Sequence, residues 1–165
     1  MTGMRRGELL GLKWSDIDIE HGLISVQRSV WYDGSQPFIK NTKTEAGERT
    51  IPILEPLKEK ILAELKRKPN SNHYVFGAEK PLTEKAYRHR YKMYKQRVGI
   101  SSTLHQLRKS FATAAVDANV PPDVLKEIIG HKDISTTINI YAEVRENRIK
   151  EAGNALSEMM SRKGV

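Results

Sequence analysis

The residues best suited to chemistry lie in one stretch, Leu104 to Tyr141. It contains His105, Arg108 and His131, and it ends at Tyr141. A guanidinium stays charged and can hold two phosphate oxygens at once. A tyrosine has an ordinary pKa of about 10, but beside a phosphate flanked by cations it can lose its proton as it attacks. This stretch therefore points to phosphate chemistry on a nucleic acid, with Tyr141 as the nucleophile.

Phosphoryl transfer needs further cations and a proton donor, and the rest of the chain offers two candidates. Arg5 lies in a helical pattern, one turn before Glu8. Lys43 lies at the rim of the second of two predicted hairpins, next to the turn Glu45-Ala46-Gly47. Each has a structural alternative. Arg5 can form a surface ion pair with Glu8, and Lys43 can be a solvated edge charge that discourages strand addition.

The first four candidates have structural alternatives as well. Tyr141 alone fits helix packing, His131 fits a capping residue, and His105 with Arg108 fits a polar helix face. These alternatives leave one fact unexplained, which is that all the candidate residues occur together and in order.

The charge of the chain agrees with a nucleic-acid partner. Its 165 residues include 28 Lys and Arg against 20 Asp and Glu, which gives a net charge of +8 and a pI of about 9.7. Such a field attracts polyanions, although charge alone also fits a merely soluble basic protein. The length is that of a single domain with one sizeable core.

Several kinds of site are excluded by composition and spacing. The chain has no cysteine, which rules out disulfides, zinc ribbons and thiol catalysis. His105 and His131 lack metal-ligand spacing, and a calcium loop starting at Asp16 is rejected because His21 replaces its glycine. We therefore expect no metal and no cofactor. No apolar run approaches the roughly 20 residues that span a bilayer, and we expect a cytoplasmic protein.

The elements that position these residues are predicted to be mainly helical, with a small sheet. The alternating run from Leu23 to Trp31 predicts a strand, and Asp33-Gly34 predicts a hairpin turn. With return strands at Phe38–Lys40 and Arg49–Ile53, this predicts a three-stranded antiparallel meander. Helical patterns cover Met4–Leu12, Glu55–Lys68, Thr83 to about Val98, the segment after Thr103, Pro121 to Gly130, the segment around Tyr141, and Val144–Met160.

A basic stripe lies on the helix predicted to start at Thr83. Arg88, Lys92 and Lys95 share one face of it. A run of charge is commonly just a solvated face, but acids are nearly absent here, so the stripe is a candidate for tracking a DNA backbone.

Five short segments carry the six candidate residues. They are Thr2-Gly3-Met4-Arg5-Arg6-Gly7-Glu8-Leu9, Thr42-Lys43-Thr44, His105-Gln106-Leu107-Arg108, Ile129-Gly130-His131 and Thr136-Thr137-Ile138-Asn139-Ile140-Tyr141. Together they resemble the catalytic domain of the tyrosine recombinase (phage-type integrase) family, over nearly the whole chain. The resemblance implies an α+β, mainly α fold, with a helical domain and a small sheet, that breaks and rejoins DNA.

The resemblance also implies a role for each residue. Tyr141 attacks the phosphodiester and becomes linked to the 3′ phosphate. Arg5 and Arg108 hold the non-bridging oxygens, and His131 hydrogen-bonds the phosphate. Lys43 protonates the 5′ leaving oxygen, and His105 assists proton transfer. Two neighbours depart from the family pattern, Lys109 and Glu143, where relatives often carry histidine.

The organisation and partners are expectations of the same kind. Residues 1–165 are expected to be a catalytic domain excised from a longer bacterial or phage-encoded protein, without core-binding and arm-binding domains, and with weak DNA affinity. The implied partners are double-stranded DNA attachment sites, further copies in a tetramer joined through the segment after Tyr141, and an accessory directionality protein. A type IB topoisomerase and a non-catalytic DNA-binding module are the alternatives.

Overall fold

A computed structural model describes residues 2–41, 48–67 and 69–163. Lys43 lies outside these ranges, so its role stays a prediction. The helices are α1 (Arg6–Gly11), α2 (Glu55–Leu65), α3 (Glu84–Val98), α4 (Leu104–Asp117), α5 (Pro122–Ile129) and α6 (Ile134–Lys163). The strands are β1 (Ile17–Asp18), β2 (Leu23–Val26), β3 (Arg28–Asp33), β4 (Gln36–Asn41) and β5 (Arg49–Pro52).

The predicted class, mainly helical with small antiparallel sheets, is confirmed, but the strands pair differently from a single meander. The run from Leu23 to Trp31 is divided at Gln27 into β2 and β3. Strand β2 lies between β1 and β5, whereas β3 and β4 form a separate hairpin. The alternation of side chains continues through the division, because Ile24, Val26 and Val30 are all buried. The sequence pattern therefore gives no sign of the break.

The predicted N-terminal caps of α3 and α4 are confirmed, whereas α6 begins at Ile134, before the Ser135-Thr136-Thr137 segment whose residue types are typical of a cap. The hydroxyl of Thr83 accepts from the amide of Ala86 at 3.3 Å, and Thr103 forms a capping box with Gln106. Helix α6 differs from the prediction, because the segment carrying Tyr141 and the segment from Val144 form one continuous helix.

Two apolar cores flank the region where the candidate residues meet. The first joins the start of the chain to the three-stranded sheet and contains Met4, Leu12, Ile24, Val26 and Ile51. The second joins α4, α5 and α6 and contains Ala112, Val116, Leu125, Ile129 and Val144. Helix α5 contributes to both, since Ile128 packs on the first core and Ile129 lies in the second. The end of α5 is thereby fixed between the cores.

None of the helices in the described ranges combines the length and apolar character needed to cross a bilayer.

Candidate active site

The site is built around the C-terminal end of α5, where helix geometry leaves carbonyl oxygens without partners inside the helix. The helix ends at Gly130, whose φ of 77° lies in the left-handed region that glycine adopts readily. The amides of Gly130 and His131 donate to the carbonyl of Lys126, at 2.8 and 3.1 Å. The carbonyls of Ile128, Ile129 and Gly130 are left for donors from elsewhere in the fold.

Three arginines, from three different parts of the chain, supply those donors. Arg49, at the start of β5, donates its Nε to the first of these carbonyls at 2.9 Å. Arg108, in the second turn of α4, donates Nη1 to the second at 2.8 Å. Arg5, immediately before α1, donates Nη2 to the third. The end of α5 thus collects the two arginines that the sequence predicted and one that it did not.

Arg108 is also tied directly to the segment that carries Arg5. Its Nη1 donates to the carbonyl of Gly3 at 2.6 Å. Gly3 has a φ of 63°, and a Cβ there would lie 2.6 Å from the ring of Phe111. Only a glycine lets the start of the chain pass this close to α4, so the spacing of the two predicted arginines depends on it.

The buried carboxylate of Glu8 joins Arg5 to Arg49. Glu8 is 5% exposed and accepts from the backbone amide and Nη1 of Arg5, at 2.8 and 2.9 Å. The same carboxylate accepts from both Nη atoms of Arg49, at 3.1 and 2.8 Å. Burial by itself would raise the pKa of Glu8, but the hydrogen bonds and charge of Arg49, with the bonds from Arg5, lower it to about 2. Glu8 is therefore ionised at neutral pH.

Burial and the neighbouring cations together lower the pKa values of Arg108 and His131. Burial, and then repulsion from Arg5, lowers the pKa of Arg108 to about 10, although Glu8 opposes this. Burial and the charges of Arg108, Arg5 and Arg49 likewise lower the pKa of His131. An anion placed among these groups would relieve the repulsion between them. The arrangement therefore favours binding of a phosphate.

The two histidines are placed differently. His131 follows Gly130 directly, and its Nδ1 lies 2.9 Å from the hydroxyl of the fully buried Thr137. This contact fixes the ring orientation and leaves Nε2 for another partner. His105 is exposed in the first turn of α4, one turn before Arg108. The structure thus brings Arg5, Arg108 and His131 together. It places His105 one turn from Arg108 and shows no hydrogen bond from His105 to the cluster among the described residues.

Tyr141 is not turned toward the arginines in this structure. It lies on α6 one turn beyond Thr137, about 6 Å along the helix axis. Its ring packs beside the second core, and its hydroxyl donates to the carbonyl of Val120. Burial, followed by the charge of Asp123, raises the pKa of Tyr141. The phenol is therefore held protonated and away from the cations that would activate it.

Comparison with known proteins agrees with this geometry. A family model described as the phage integrase family matches residues 1–148. The tyrosine recombinase XerA of Pyrococcus furiosus is 34% identical over 156 residues, which cover 92% of this chain and 49% of that protein. The chain belongs to the phage integrase family. The ICEBs1 integrase of Bacillus subtilis, another relative, is 27% identical over 97% of this chain and 47% of its own length. This integrase-family chain spans about half the length of the curated relatives it matches.

Solved structures show the same fold. The integrase of transposon Tn1549, in complex with circular intermediate DNA, has a TM-score of 0.67 at 24% identity, covering 90% of this chain and 56% of that one. The crystal structure of XerA recombinase has a TM-score of 0.63 at 22% identity, covering 98% of this chain and 52% of that one. The tyrosine recombinase fold expected from the sequence is confirmed.

The two departures from the family pattern contact one another. Lys109 on α4 and Glu143 on α6 form an ion pair of 2.8 Å. Asp117 and Arg148 form a second pair between the same helices, at 2.7 Å. Both pairs are exposed, and both join α4 to the helix that carries Tyr141.

The basic stripe on α3 lies outside this integrase-family site. Arg88 and Lys92 are exposed and Lys95 is half-buried. Arg88 pairs with Glu84 at 2.9 Å, and Lys95 lies over the ring of Tyr91 at 5.7 Å. Their proposed contact with DNA stays a prediction.

Sequence reasoning missed Arg49 and Thr137, and it interpreted Glu8 as a surface partner of Arg5. The Arg5–Glu8 spacing did predict the ion pair, but burial of the carboxylate depends on strands far along the chain. Within the described ranges, no group of three or more His, Asp or Glu side chains is spaced to hold a metal ion.

Proposed function

We propose that this chain is the catalytic part of a site-specific DNA recombinase that cleaves and rejoins DNA during integration or excision of a mobile element. The observation that carries the proposal is the convergence of Arg5, Arg108 and His131 at the end of α5. Membership of the phage integrase family supports it, as do relatives named recombinase or integrase. The structure of the Tn1549 integrase with DNA supports double-stranded DNA as the substrate.

In the proposed reaction the scissile phosphate binds between the two arginines. Their guanidinium groups neutralise the non-bridging oxygens, and Nε2 of His131 donates to one of them. The oxygen of Tyr141 attacks phosphorus, a bond forms to the 3′ phosphate, and the bond to the 5′ oxygen breaks. His105 assists removal of the phenol proton, and Lys43 supplies a proton to the leaving 5′ oxygen. Attack by a free 5′ hydroxyl reverses these steps and rejoins the strand.

The reaction requires Tyr141 to leave its contact with Val120. Because Thr137 and Tyr141 share a face of α6, a rotation or shift of this helix would carry the phenol toward His131. Beside the cations its pKa would fall, which is the opposite of the change that burial produces now. Moving the phenol beside the cations would thus activate the proposed nucleophile by lowering its pKa.

The proposed partners are inferred from basic side chains on α3 and apolar side chains at the end of α6. Arg88, Lys92 and Lys95 are proposed to follow the DNA backbone beside the site. The side chains from Arg145 to Arg162 are all exposed, and they include Ile149, Leu156, Met159 and Met160. We propose that this apolar end of α6 joins copies of the chain in a tetramer on DNA attachment sites, where an accessory protein sets the direction.

The test is covalent capture on DNA. Nicked duplexes with a randomised centre are incubated with the chain, and protein–DNA adducts that survive detergent are isolated and sequenced. We expect wild-type protein to select one site, and Tyr141→Phe to give no adduct. An adduct that persists in Tyr141→Phe, or its absence from wild-type protein, would contradict the proposal. Relaxation of plasmids that lack the selected site would indicate a topoisomerase instead.

A further inference from the structure

Arg49 makes three side-chain hydrogen bonds to groups that build the site, yet its own side chain is poorly placed to meet a ligand. Its side chain is 6% exposed, compared with 47% for Arg5. Three of its five N–H groups donate within the protein, to the carbonyl of Ile128 and to both oxygens of Glu8. With its side chain buried, Arg49 is placed to bond other residues of the site rather than a phosphate.

The partners of Arg49 are the parts that place the two flanking groups. Glu8 accepts the backbone amide and Nη1 of Arg5, so the orientation of Arg5 depends on where this carboxylate is held. Ile128 begins the turn that carries His131, and a Cβ at Gly130 would lie 2.8 Å from Cζ of Arg49. One guanidinium thus packs against both sides of the proposed phosphate site.

We infer that Arg49 is a positioning residue of the proposed cleavage reaction, which sets Arg5 through Glu8 and sets the His131 turn through Ile128 without contacting DNA. The inference rests on the proposed function. A lysine could replace the charge of Arg49 but not its planar fork, because the three N–H groups of an ammonium diverge from one nitrogen and cannot match donors on three coplanar nitrogens. Displacement of a catalytic group by about 1 Å can slow a reaction by about 100-fold.

The positioning role has a signature in the pH profile. Three cations act on the Glu8 carboxylate: Arg5 before α1, Arg49 on β5 and Arg108 on α4. His131, after α5, is affected by the same three arginines. Without Arg49, burial of Glu8 is opposed mainly by Arg5. The pKa of Glu8 then rises, and its protonation releases Arg5. We expect the acid limb of the cleavage rate to move upward by about one pH unit or more in Arg49→Gln.

The experiment measures single-turnover adduct formation at saturating DNA, using the duplex selected by the wild-type chain. Arg28→Gln is the matched control, because Arg28 also forms a buried ion pair, with Asp16, but away from the site. We expect Arg49→Gln to be about 100-fold slower with unchanged DNA affinity and a shifted acid limb. Arg28→Gln should lose stability in the same way but keep the wild-type rate and profile.

Arg49→Lys covers the case in which Arg49→Gln does not fold. It keeps the charge, so we expect the acid limb to stay in place while the rate remains about 10-fold or more below wild type. A wild-type rate in Arg49→Lys, or an Arg49→Gln rate equal to that of Arg28→Gln, overturns the inference. Failure of the wild-type chain to form a Tyr141-dependent adduct overturns the proposed function and the inference with it, so the two failures are distinguishable.

Discussion

Arg5, Arg108 and His131 are held by hydrogen bonds from several parts of the fold, whereas the phenol of Tyr141 is held by one bond to a loop carbonyl. The first region lies between two apolar cores and contains a buried ion pair. The second is helix α6, which packs on the second core through Val144 and is joined to α4 by exposed ion pairs. Its last turns are fully exposed. The fold thus holds the proposed phosphate site as a rigid region, with more hydrogen bonds than it gives to the phenol of the proposed nucleophile.

This difference assigns separate tasks to the two regions. A preorganised set of cations stabilises developing charge without rearranging during the reaction. In the proposed reaction, a tyrosine kept apart from those cations stays protonated and unreactive until α6 shifts. The proposal therefore assigns control over cleavage to the position of α6 and charge stabilisation to the arginine cluster.

The largest expected effect comes from breaking the rigid region at Arg108. Replacing Arg108 with Gln removes a cation from the phosphate and leaves the carbonyls of Gly3 and Ile129 without their donor. We expect the adduct rate to fall by about 10²–10³-fold. Arg67→Gln, at an exposed arginine paired with Glu64, is the control and should keep the wild-type rate. A similar rate in both variants would mean that Arg108 does not bind the phosphate.

The buried pair of the rigid region predicts a pH dependence of stability. The folded pKa of Glu8, about 2, lies below its ordinary value of 4.5, so its contribution is present above pH 4.5 and is lost as pH falls toward 2. A shift of this size corresponds to about 3 kcal/mol. Urea denaturation at pH 7 and pH 3 should show a smaller difference for Glu8→Gln than for wild type. An equal difference in the two proteins would show that Glu8 is not held by the arginines.

The part of α6 around Tyr141 gives a smaller expected effect, which is measured as a change in amide hydrogen exchange. Lys109→Ala with Glu143→Ala removes one exposed ion pair between α4 and α6, which stabilises by about 0.2–1 kcal/mol. We expect hydrogen exchange of the α6 amides around Tyr141 to speed up by at most about 5-fold. Glu146→Ala with Lys150→Ala breaks a pair within α6 and is the matched control. Equal exchange in the two double variants would show that the pair to α4 does not hold the helix.

Local features of this molecule could be predicted from sequence, and long-range ones could not. Thr83, Thr103 and Gly130 mark helix ends through bonds to residues close in sequence, so their residue types were sufficient. Arg49 contacts Glu8, which lies 41 positions before it, and Ile128, which lies 79 positions after it. No local sequence pattern marks a side chain whose partners lie so far away in the chain.

The candidate site shows the same limit. Arg5, Arg108 and His131 were candidates from their residue types and order in the chain, and the resemblance of their segments to a family gave each a role. Their convergence depends on the fold. Tyr141 lies away from the arginines, with its hydroxyl bonded to Val120 and its ring packed on the second core, and helical spacing does not encode these contacts.

The central claim is that the cations are assembled while Tyr141 is held apart, and the ionisation of this one phenol tests it most directly. 3-Fluorotyrosine placed at position 141 can be titrated by ¹⁹F NMR without added DNA, with a short peptide carrying the same label as reference. We predict a pKa above that of the peptide, and a lower value when Asp123→Asn removes the nearby negative charge. A pKa below that of the peptide would place the phenol beside Arg5 and Arg108 already, and would contradict the account.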